Sequence, residues 1–128
     1  MSGKLLDTNA AIALQNADQD FLNWLDGKTD ILLPAPVIGE LYYGALNSSR
    51  TIANIAAIEK LVADNVILDC DVKTAENYGR VRHQLKLKGR PIPENDIWIA
   101  AVALQYDLTL VTRDQHFNEV DGLSVESW

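Results

Sequence analysis

The sequence holds a single cysteine, Cys70, among its 128 residues. One thiol cannot form a disulfide within the chain, so folding must depend on a hydrophobic core. Cys70 ends an apolar run, and we expect it to be buried there as a small hydrophobic side chain. The absence of disulfides is typical of proteins from a reducing compartment.

Long apolar runs are missing as well. The longest proline-free stretch, residues 97–104, is far shorter than the roughly 20 residues of a transmembrane helix. Near the N-terminus the sequence passes quickly from Lys4 to Asp7, without the apolar segment of a signal peptide. We therefore expect a cytoplasmic protein with no membrane partner.

Positive charge is scarce, because 11 Lys and Arg face 18 Asp and Glu and the formal net charge is -7. Such a chain repels a phosphate backbone unless local charge or a metal ion reverses the field, which disfavours nucleic-acid binding by bulk electrostatics. With 48% hydrophobic and 23% charged residues, the composition is that of a globular protein. The length predicts one domain, residues 1–128, around one core.

Short apolar runs alternate with longer helical patterns, which predicts an α/β fold with a mostly parallel sheet. The runs are nearly continuous in apolar residues, as expected for strands that helices cover on both faces. The predicted strands are residues 4–6, 30–33, 66–70, 108–112 and 123–126. The predicted helices are residues 9–15, 18–26, 35–46, 50–64, 73–88 and 95–106. Asp71 is placed to cap the fifth helix.

Two acidic residues follow predicted strands directly. Ligands of an open parallel sheet bind beyond the carboxyl ends of its strands, where Asp7 follows the first strand and Asp114 the fourth. Asp7 is explained equally well as a helix N-cap, and Asp114 taken alone fits a turn better. If the strands run parallel, both carboxylates lie on the same rim of the sheet.

A third acid, Asp96, heads a helix that is apolar nearly all round and is therefore predicted to be buried. A carboxylate in the first turn is favoured by the helix dipole, so capping by Glu94, Asn95 or Asp96 is an alternative role. These three adjacent residues are more than the capping of one helix requires.

Glu40 lies within residues 36–44, where its neighbours are apolar or small. Glutamate is rarely buried without a partner, and the apolar surroundings weaken the alternative that it sits at the edge of a solvent-exposed face. Gly39 and Gly44 each lower helix propensity by roughly 1 kcal/mol, which favours a close backbone approach here.

Together these acids predict an acidic pocket at one end of the sheet. Its members are Asp7, Glu40, Asp96 and Asp114. Carboxylates so close would raise one another's pKa unless cations lay between them. Oxygen ligands suit Mg²⁺ or Mn²⁺, whereas His83 and His116 are isolated in the sequence and offer no zinc site. Such a pocket supports metal-assisted hydrolysis of a phosphodiester.

These residues resemble the motifs of the PIN-domain family, in particular of the VapC-type toxin ribonucleases of toxin–antitoxin pairs. The matching segments are residues 5–9, 40–44, 96–101 and 110–114, followed by His116 and Phe117. Their order and spacing agree over nearly the whole chain. The resemblance implies a parallel sheet with helices on both sides, RNA cleavage dependent on Mg²⁺ or Mn²⁺, a homodimer, and neutralisation by a cognate antitoxin that reaches the pocket.

The resemblance also implies roles for single residues. Asp7 and Asp96 would be the most direct metal ligands, and Asp114 would complete the site or bridge to it through water. Glu40 would hold a water at the metal or act as base. Hydrogen bonds supporting the site would come from Asn9 and Thr112. Glu94 departs from the pattern and would add to the ligands or substitute for one.

Residues 73–90 concentrate six of the eleven basic residues around a single acid, Glu76. The six are Lys73, Arg80, Arg82, Lys86, Lys88 and Arg90. Residues 82, 86 and 90 recur at a spacing of four, which makes one stripe while the helix lasts. We interpret the cluster Arg80, Arg82, Lys86, Lys88 and Arg90 as a contact surface for RNA or a partner. The alternative is a solvated helix face.

The third and fourth predicted helices carry more apolar residues than one small sheet needs to cover. They are Val37, Ile38, Leu41, Ile52, Ile55, Ala56 and Ile58, and they predict a dimer surface. Trp24, Trp98 and Trp128 are interpreted as core or interface residues.

The main alternative function is a receiver-type phosphoacceptor, with Asp69 or Asp71 after the third strand and Thr112 after the fourth. A receiver needs an acidic pair after the first strand and a lysine after the last strand to neutralise the phosphoryl group, and this sequence has neither. A small-molecule phosphatase would share the metal chemistry, but no second aspartate stands two positions after Asp7. A third alternative is a catalytically silent interaction module, but it gives no reason for the sequence to hold all four acids of the predicted pocket.

Overall fold

The computed structural model of the chain describes residues 2–27 and 30–128. The strands are β1 Lys4–Leu6, β2 Ile31–Pro34, β3 Val66–Leu68, β4 Thr109–Val111 and β5 Val125–Glu126. The helices are α1 Thr8–Gln15, α2 Gln19–Leu25, α3 Ala35–Leu46, α4 Thr51–Asp64, α5 Val72–Lys88 and α6 Glu94–Gln105. Every predicted strand and helix is present. The sequence does not predict the short 3₁₀ helix at Gln115–Glu119.

The five strands form one sheet in the order β3-β2-β1-β4-β5, and every neighbouring pair is parallel. The chain first builds outward from β1 through β2 to β3, and then crosses to the other side of β1 to add β4 and β5. The strand order therefore reverses between β1 and β4. In open parallel sheets the crevice beyond the carboxyl ends of two such strands is where ligands bind.

Helices cover both faces of the sheet, as predicted. Successive side chains of a strand point to opposite faces, and Leu5, Leu6, Leu110 and Val111 all have 0% exposure. Helix α6 is buried around most of its circumference, with alanines that let it approach closely. No helix among the described residues is long and apolar enough to cross a membrane.

Helix α5 has well-defined ends that fix its position beside α6. Asp71 caps it as predicted, since its carboxylate accepts a 3.1 Å hydrogen bond from the amide of Thr74. Gly89 ends it with a left-handed φ of 67°. The hydroxyl of Tyr78 donates to Glu94 at 2.6 Å, so the middle of α5 lies beside the first turn of α6.

The prediction that Cys70 is buried is wrong, because its side chain is exposed. Strand β3 lies at the edge of the sheet and ends at Leu68, so Cys70 belongs to the connection that leads to α5. Partial desolvation and the carboxylates of Asp69 and Asp71 raise the pKa of the Cys70 thiol. This thiol is therefore poorly ionised at neutral pH.

The predicted dimer surface is only partly available. Val37, Leu41 and Ile58 are buried in the core of the chain itself, where α3 and α4 pack on each other and on the sheet. Ile52 is 88% exposed, and Ala56 is exposed on the same helix. Fewer apolar side chains are therefore left for a dimer contact than the sequence predicts, because several of them are buried where α3 and α4 pack on each other.

The three tryptophans divide between the core and the surface of α6. Trp24 and Trp128 pack against the buried ring of Phe21, with centroids 5.6 and 5.5 Å away. Trp98 is half-buried and stacks on Tyr78 at 4.1 Å. Its ring thus helps to hold α5 against α6.

Candidate active site

Asp7 is buried at the end of β1, with 3% of its surface exposed. It is the N-cap of α1, since Oδ1 accepts a 2.9 Å hydrogen bond from the amide of Ala10. Its other oxygen, Oδ2, accepts one from the hydroxyl of Thr112 at 2.5 Å. The two roles weighed for Asp7, a cap and a carboxylate on the rim of the sheet, therefore coexist. Both oxygens are held in fixed positions.

Asp114 follows β4, on the other side of the crevice. Its amide donates a 2.9 Å hydrogen bond to the hydroxyl oxygen of Thr112, the same group that donates to Asp7. It precedes the 3₁₀ helix, but its side chain makes no capping hydrogen bond there. The carboxylate is thus free to take part in the site.

Asp96 reaches the same place from the first turn of α6. The N-cap position of this helix is Pro93, and no side chain caps it, so capping is not the role of Asp96. Oδ2 of Asp96 lies 2.8 Å from Nε2 of His116. The other ring nitrogen, Nδ1, lies 3.6 Å from Oδ1 of Asp114. The imidazole therefore stands between these two carboxylates.

His116 follows the fourth sequence motif, but the sequence analysis gives it no role in the site because it is isolated from other histidines and cysteines. The 3₁₀ helix turns the chain back so that a residue two positions after Asp114 faces Asp96. Phe117 anchors this helix in the core with 1% exposure, and its ring contacts the imidazole at 4.7 Å. The sequence shows that His116 follows Asp114 by two positions, but it does not show which way the imidazole points.

Glu40 lies on α3, and its side chain is exposed, contrary to the apolar surroundings that the sequence suggested. Oε2 accepts a 2.7 Å hydrogen bond from the hydroxyl of Thr8, the first residue of α1. A Cβ added at Gly39 or Gly44 would meet no atom within 4 Å, so the expected close backbone approach is also wrong. These glycines instead leave open space beside Glu40.

The four acids influence one another electrostatically. Burial raises the pKa of Asp7, with a further contribution from the carboxylate of Asp114. Burial also raises the pKa of Asp96, where the charges of Glu40 and Asp114 add to the effect and His116 opposes it. Within residues 2–27 and 30–128, no Lys or Arg forms an ion pair with any of the four acids. No described Lys or Arg therefore balances this negative charge, and His116 is the group that opposes it.

This donor set fits a divalent cation. Asp96, Asp114 and His116 each place one ligand atom within 4.8 Å of the others. Asp7 adds a buried carboxylate that forms no ion pair with any Lys or Arg of the described residues. Carboxylate oxygens are the ligands that Mg²⁺ and Mn²⁺ prefer, and a cation would remove the mutual repulsion.

The two predicted supporting residues differ in their placement. The side chain of Thr112 is buried and bonds to Asp7, as described above. Asn9 is exposed in the first turn of α1, and the described part of the chain shows no hydrogen bond from its side chain to any of the four acids. Glu94 is engaged by α5, because its carboxylate accepts from Tyr78 and lies 3.8 Å from Arg82.

The basic cluster of α5 divides into paired and unpaired side chains. Arg80 forms a 2.7 Å ion pair with Glu76, and Lys88 forms one of 2.8 Å with Asp121. The guanidinium of Arg82 donates to the hydroxyl of Tyr78 at 2.8 Å. These contacts leave less positive charge for a ligand than the sequence suggested.

Lys86 and Arg90 form no ion pair with any other described residue. Both are exposed, Lys86 in the last turn of α5 and Arg90 just beyond it. Arg90 and His116 line one open cavity of about 580 Å³. Arg90 thus brings free positive charge to the cavity beside the 3₁₀ helix, whereas Lys86 lines a neighbouring pocket.

A second, larger groove lies on the other side of Glu40. It has a volume of about 840 Å³ and runs between α1, α3 and α4. Thr8 and Glu40 line it together with apolar side chains such as Ile12 and Ile58. The acidic cleft therefore opens into a groove of mixed character.

Fold and cleft together define a class of protein. The sequence profile of the PIN domain matches residues 4–123, and the chain belongs to this family. Its similarity is to the VapC ribonucleases in particular. Ribonuclease VapC2 of Haemophilus influenzae is 34% identical over 127 residues, which cover 97% of this chain and 96% of the relative. The tRNA(fMet)-specific endonuclease VapC of Shigella flexneri is 33% identical over 129 residues, with the same coverage.

Solved structures of the same kind superpose along the whole chain. The crystal structure of VapBC2 from Rickettsia felis, bound to a DNA fragment from their promoter, matches with a TM-score of 0.90 and 29% identity over 100% of this chain and 99% of that one. DNA-bound VapBC from Salmonella typhimurium matches with a TM-score of 0.87 and 28% identity, at 100% and 99% coverage. The resemblance seen in the sequence motifs is confirmed.

Proposed function

We propose that the chain is an endoribonuclease, the toxin of a toxin–antitoxin pair, which hydrolyses RNA phosphodiester bonds with the help of Mg²⁺ or Mn²⁺. The observation that carries this proposal is the convergence of Asp7, Glu40, Asp96 and Asp114 where the strand order reverses, without a Lys or Arg partner among the described residues. Relatives named as ribonuclease and endonuclease, alike over nearly the full chain, support it.

Asp7, Asp96 and Asp114 are the residues that would hold the cation. When bound, such a cation stabilises charge on a phosphate oxygen and makes a nucleophile from water at neutral pH. Thr112 keeps Asp7 in one orientation through its hydroxyl hydrogen bond. The amide of Ala10 fixes the second oxygen of Asp7. The carboxylates are thereby preorganised and need little rearrangement on binding.

Glu40 supplies a carboxylate at the open edge of the cleft. Thr8 holds Oε2 of this residue, and the exposed position of the side chain gives water access to it. Glu40 would accept the proton of a water molecule that attacks the phosphate, or hold that water in line. Asn9 lies one residue after Thr8 and would contact substrate at this edge.

The RNA would approach over Arg90, which lines the cavity beside His116, and over the unpaired Lys86 of the neighbouring pocket. Their charges can hold phosphates next to the cleft although the chain as a whole carries a net charge of -7. Arg80, Arg82 and Lys88 would contribute less, because each already has a partner in the chain.

The expected partner is a cognate antitoxin, as in the VapBC complexes that the fold resembles. The groove beside Glu40 has a volume of about 840 Å³ and apolar lining residues such as Ile12, and it would take a segment of such a partner near the cleft. We also propose a homodimer and a cytoplasmic location, where the RNA substrate is found.

The receiver-type alternative does not fit the topology. Receiver domains have the strand order 2-1-3-4-5, whereas β1 here lies between β2 and β4. Asp71 is also engaged in capping α5. The silent-module alternative leaves the unbalanced charge of the four acids without a purpose.

Purified protein and a defined single-stranded RNA test the proposal. We expect cleavage in Mg²⁺ or Mn²⁺, none in excess EDTA, and recovery when either ion is restored. Asp7→Asn removes charge at nearly constant volume and should abolish cleavage, while asparagine still caps α1.

Asp18 provides a matched control, because it caps α2 by accepting a 3.0 Å hydrogen bond from the amide of Phe21. Asp18→Asn is the same substitution at a helix N-cap outside the cleft, and we expect it to cleave like the wild type. Full activity in EDTA, or equal activity of the two variants, would reject the proposed function.

A further inference from the structure

The imidazole of His116 stands inside the acidic cleft, where its contact with Asp96 opposes the rise in the pKa of that carboxyl. Its Nε2 atom is buried and has no hydrogen-bond partner among the described residues, although Oδ2 of Asp96 lies only 2.8 Å away. A ring nitrogen that faced this oxygen as a donor would align its N–H with it. Two atoms this close without an aligned N–H between them occupy the positions that two ligands of one cation take.

The shortest distance in this cluster agrees with that between neighbouring ligands of one ion. Octahedral ligands at about 2.1 Å from an ion lie about 3 Å apart when adjacent and about 4.2 Å apart when opposite. The Nε2–Oδ2 separation of 2.8 Å is that of adjacent ligands. Asp114 completes a set whose ligand atoms all lie within 4.8 Å of one another.

The position of the ring is fixed by the fold. His116 belongs to the 3₁₀ helix Gln115–Glu119, which Phe117 anchors in the core, and the two rings contact each other at 4.7 Å. A ligand supported in this way needs little ordering when an ion binds.

We infer that Nε2 of His116 is a direct ligand of the cation, together with Asp96 and Asp114, and that the site therefore prefers Mn²⁺ to Mg²⁺. This inference rests on the proposed function for the presence of a cation. Both ions favour oxygen ligands, but Mn²⁺ accepts an imidazole nitrogen more readily than the harder Mg²⁺ does. An oxygen-only site would discriminate less between the two ions.

The experiment uses the only other histidine, His83, as its control. His83 is exposed on α5. In His83→Gln, His116 is the single histidine, so pulsed EPR of the Mn²⁺-loaded variant reports on that residue alone. We expect nitrogen modulation typical of a bound imidazole, which should change to the ¹⁵N frequencies when the protein is made with ¹⁵N-histidine.

Competition binding supplies a second readout. His116→Gln should lower the ratio of Mn²⁺ to Mg²⁺ affinity by about tenfold or more, the scale seen when groups around a metal are altered. His83→Gln should leave the ratio unchanged. Circular dichroism checks that His116→Gln is folded, and the isotope experiment does not depend on that variant.

Absence of imidazole nitrogen modulation in Mn²⁺-loaded His83→Gln would overturn the inference. Cleavage of RNA by the same preparation, without that modulation, would leave the proposed function intact and reject the ligand role of His116. The modulation without any RNA cleavage would support the ligand role and reject the ribonuclease.

Discussion

The hydroxyl of Thr112 donates a 2.5 Å hydrogen bond to Oδ2 of Asp7, across 105 positions of the sequence. Both side chains are buried, and they join the carboxyl ends of β1 and β4. The amide of Asp114 donates to the same hydroxyl oxygen. One threonine therefore sets the orientation of a carboxylate on β1 and the start of the turn that carries the next acid.

Replacing Thr112 by valine removes this hydroxyl at nearly the same shape. Asp7 would lose one of its two hydrogen bonds, and we expect cation affinity and cleavage to fall roughly 10- to 100-fold. Thr112→Ser keeps the hydroxyl and should recover most of the activity. Titration calorimetry and cleavage rates measure the effect. Valine and serine variants of equal activity would show that the hydrogen bond does not orient Asp7.

Cation binding should stabilise the chain in a pH-dependent way. The raised pKa values of Asp7 and Asp96 mean that the cation-free folded chain binds more protons than the unfolded chain above the ordinary value of 3.8. Their contribution to stability is therefore present below that pH and is lost as the pH rises through the raised values.

A divalent cation reverses this loss by binding only the folded, ionised site. At a free concentration of 100 times Kd the gain is about 2.7 kcal/mol. We expect Mg²⁺ or Mn²⁺ to raise the unfolding temperature at pH 7 but hardly at pH 4, where protons compete for the carboxylates. Equal shifts at both pH values in calorimetry would argue against a carboxylate site.

Asp7→Asn should stabilise the cation-free chain at neutral pH. The substitution removes a buried charge that burial disfavours, while the amide oxygen still caps α1. The cation-induced rise in unfolding temperature should largely disappear. Asp18→Asn, at the exposed cap of α2, should change neither quantity appreciably. A marked loss of stability in Asp7→Asn alone would mean that this charge is already balanced within the chain.

Binding of RNA should depend on Lys86 and Arg90. Alanine at both positions should weaken binding to a single-stranded RNA and reduce the salt dependence, by about 0.7 in log–log slope for each phosphate that is no longer neutralised. Lys60→Ala is a suitable control, since Lys60 is exposed and paired with Asp64 on α4. If the control weakens binding as much, the effect of charge is general and not local.

The sequence predicts the fold well because each element has a strong local pattern. The strands are short apolar runs and α6 is apolar nearly all round, so both kinds of element can be recognised from the sequence without knowing how they pack. The parallel sheet then dictates that residues after β1 and β4 share a rim. Asp7 and Asp114 could be brought together by this reasoning alone.

Other features depend on tertiary geometry that local patterns do not encode. His116 faces Asp96 only because the chain turns through a 3₁₀ helix after Asp114. Cys70 is exposed because β3 is an edge strand that ends early. Pairing within α5 and to Asp121 reduces the free positive charge, which a count of basic residues does not reveal.

The most direct test of the central claim, that this acidic cleft cuts RNA, is a map of new RNA ends across the transcriptome after expression of the wild type, Asp7→Asn and Asp18→Asn. We predict that a defined set of new ends is produced by the wild type and by Asp18→Asn, and that none of these ends is produced by Asp7→Asn. The same ends in all three samples would contradict the account.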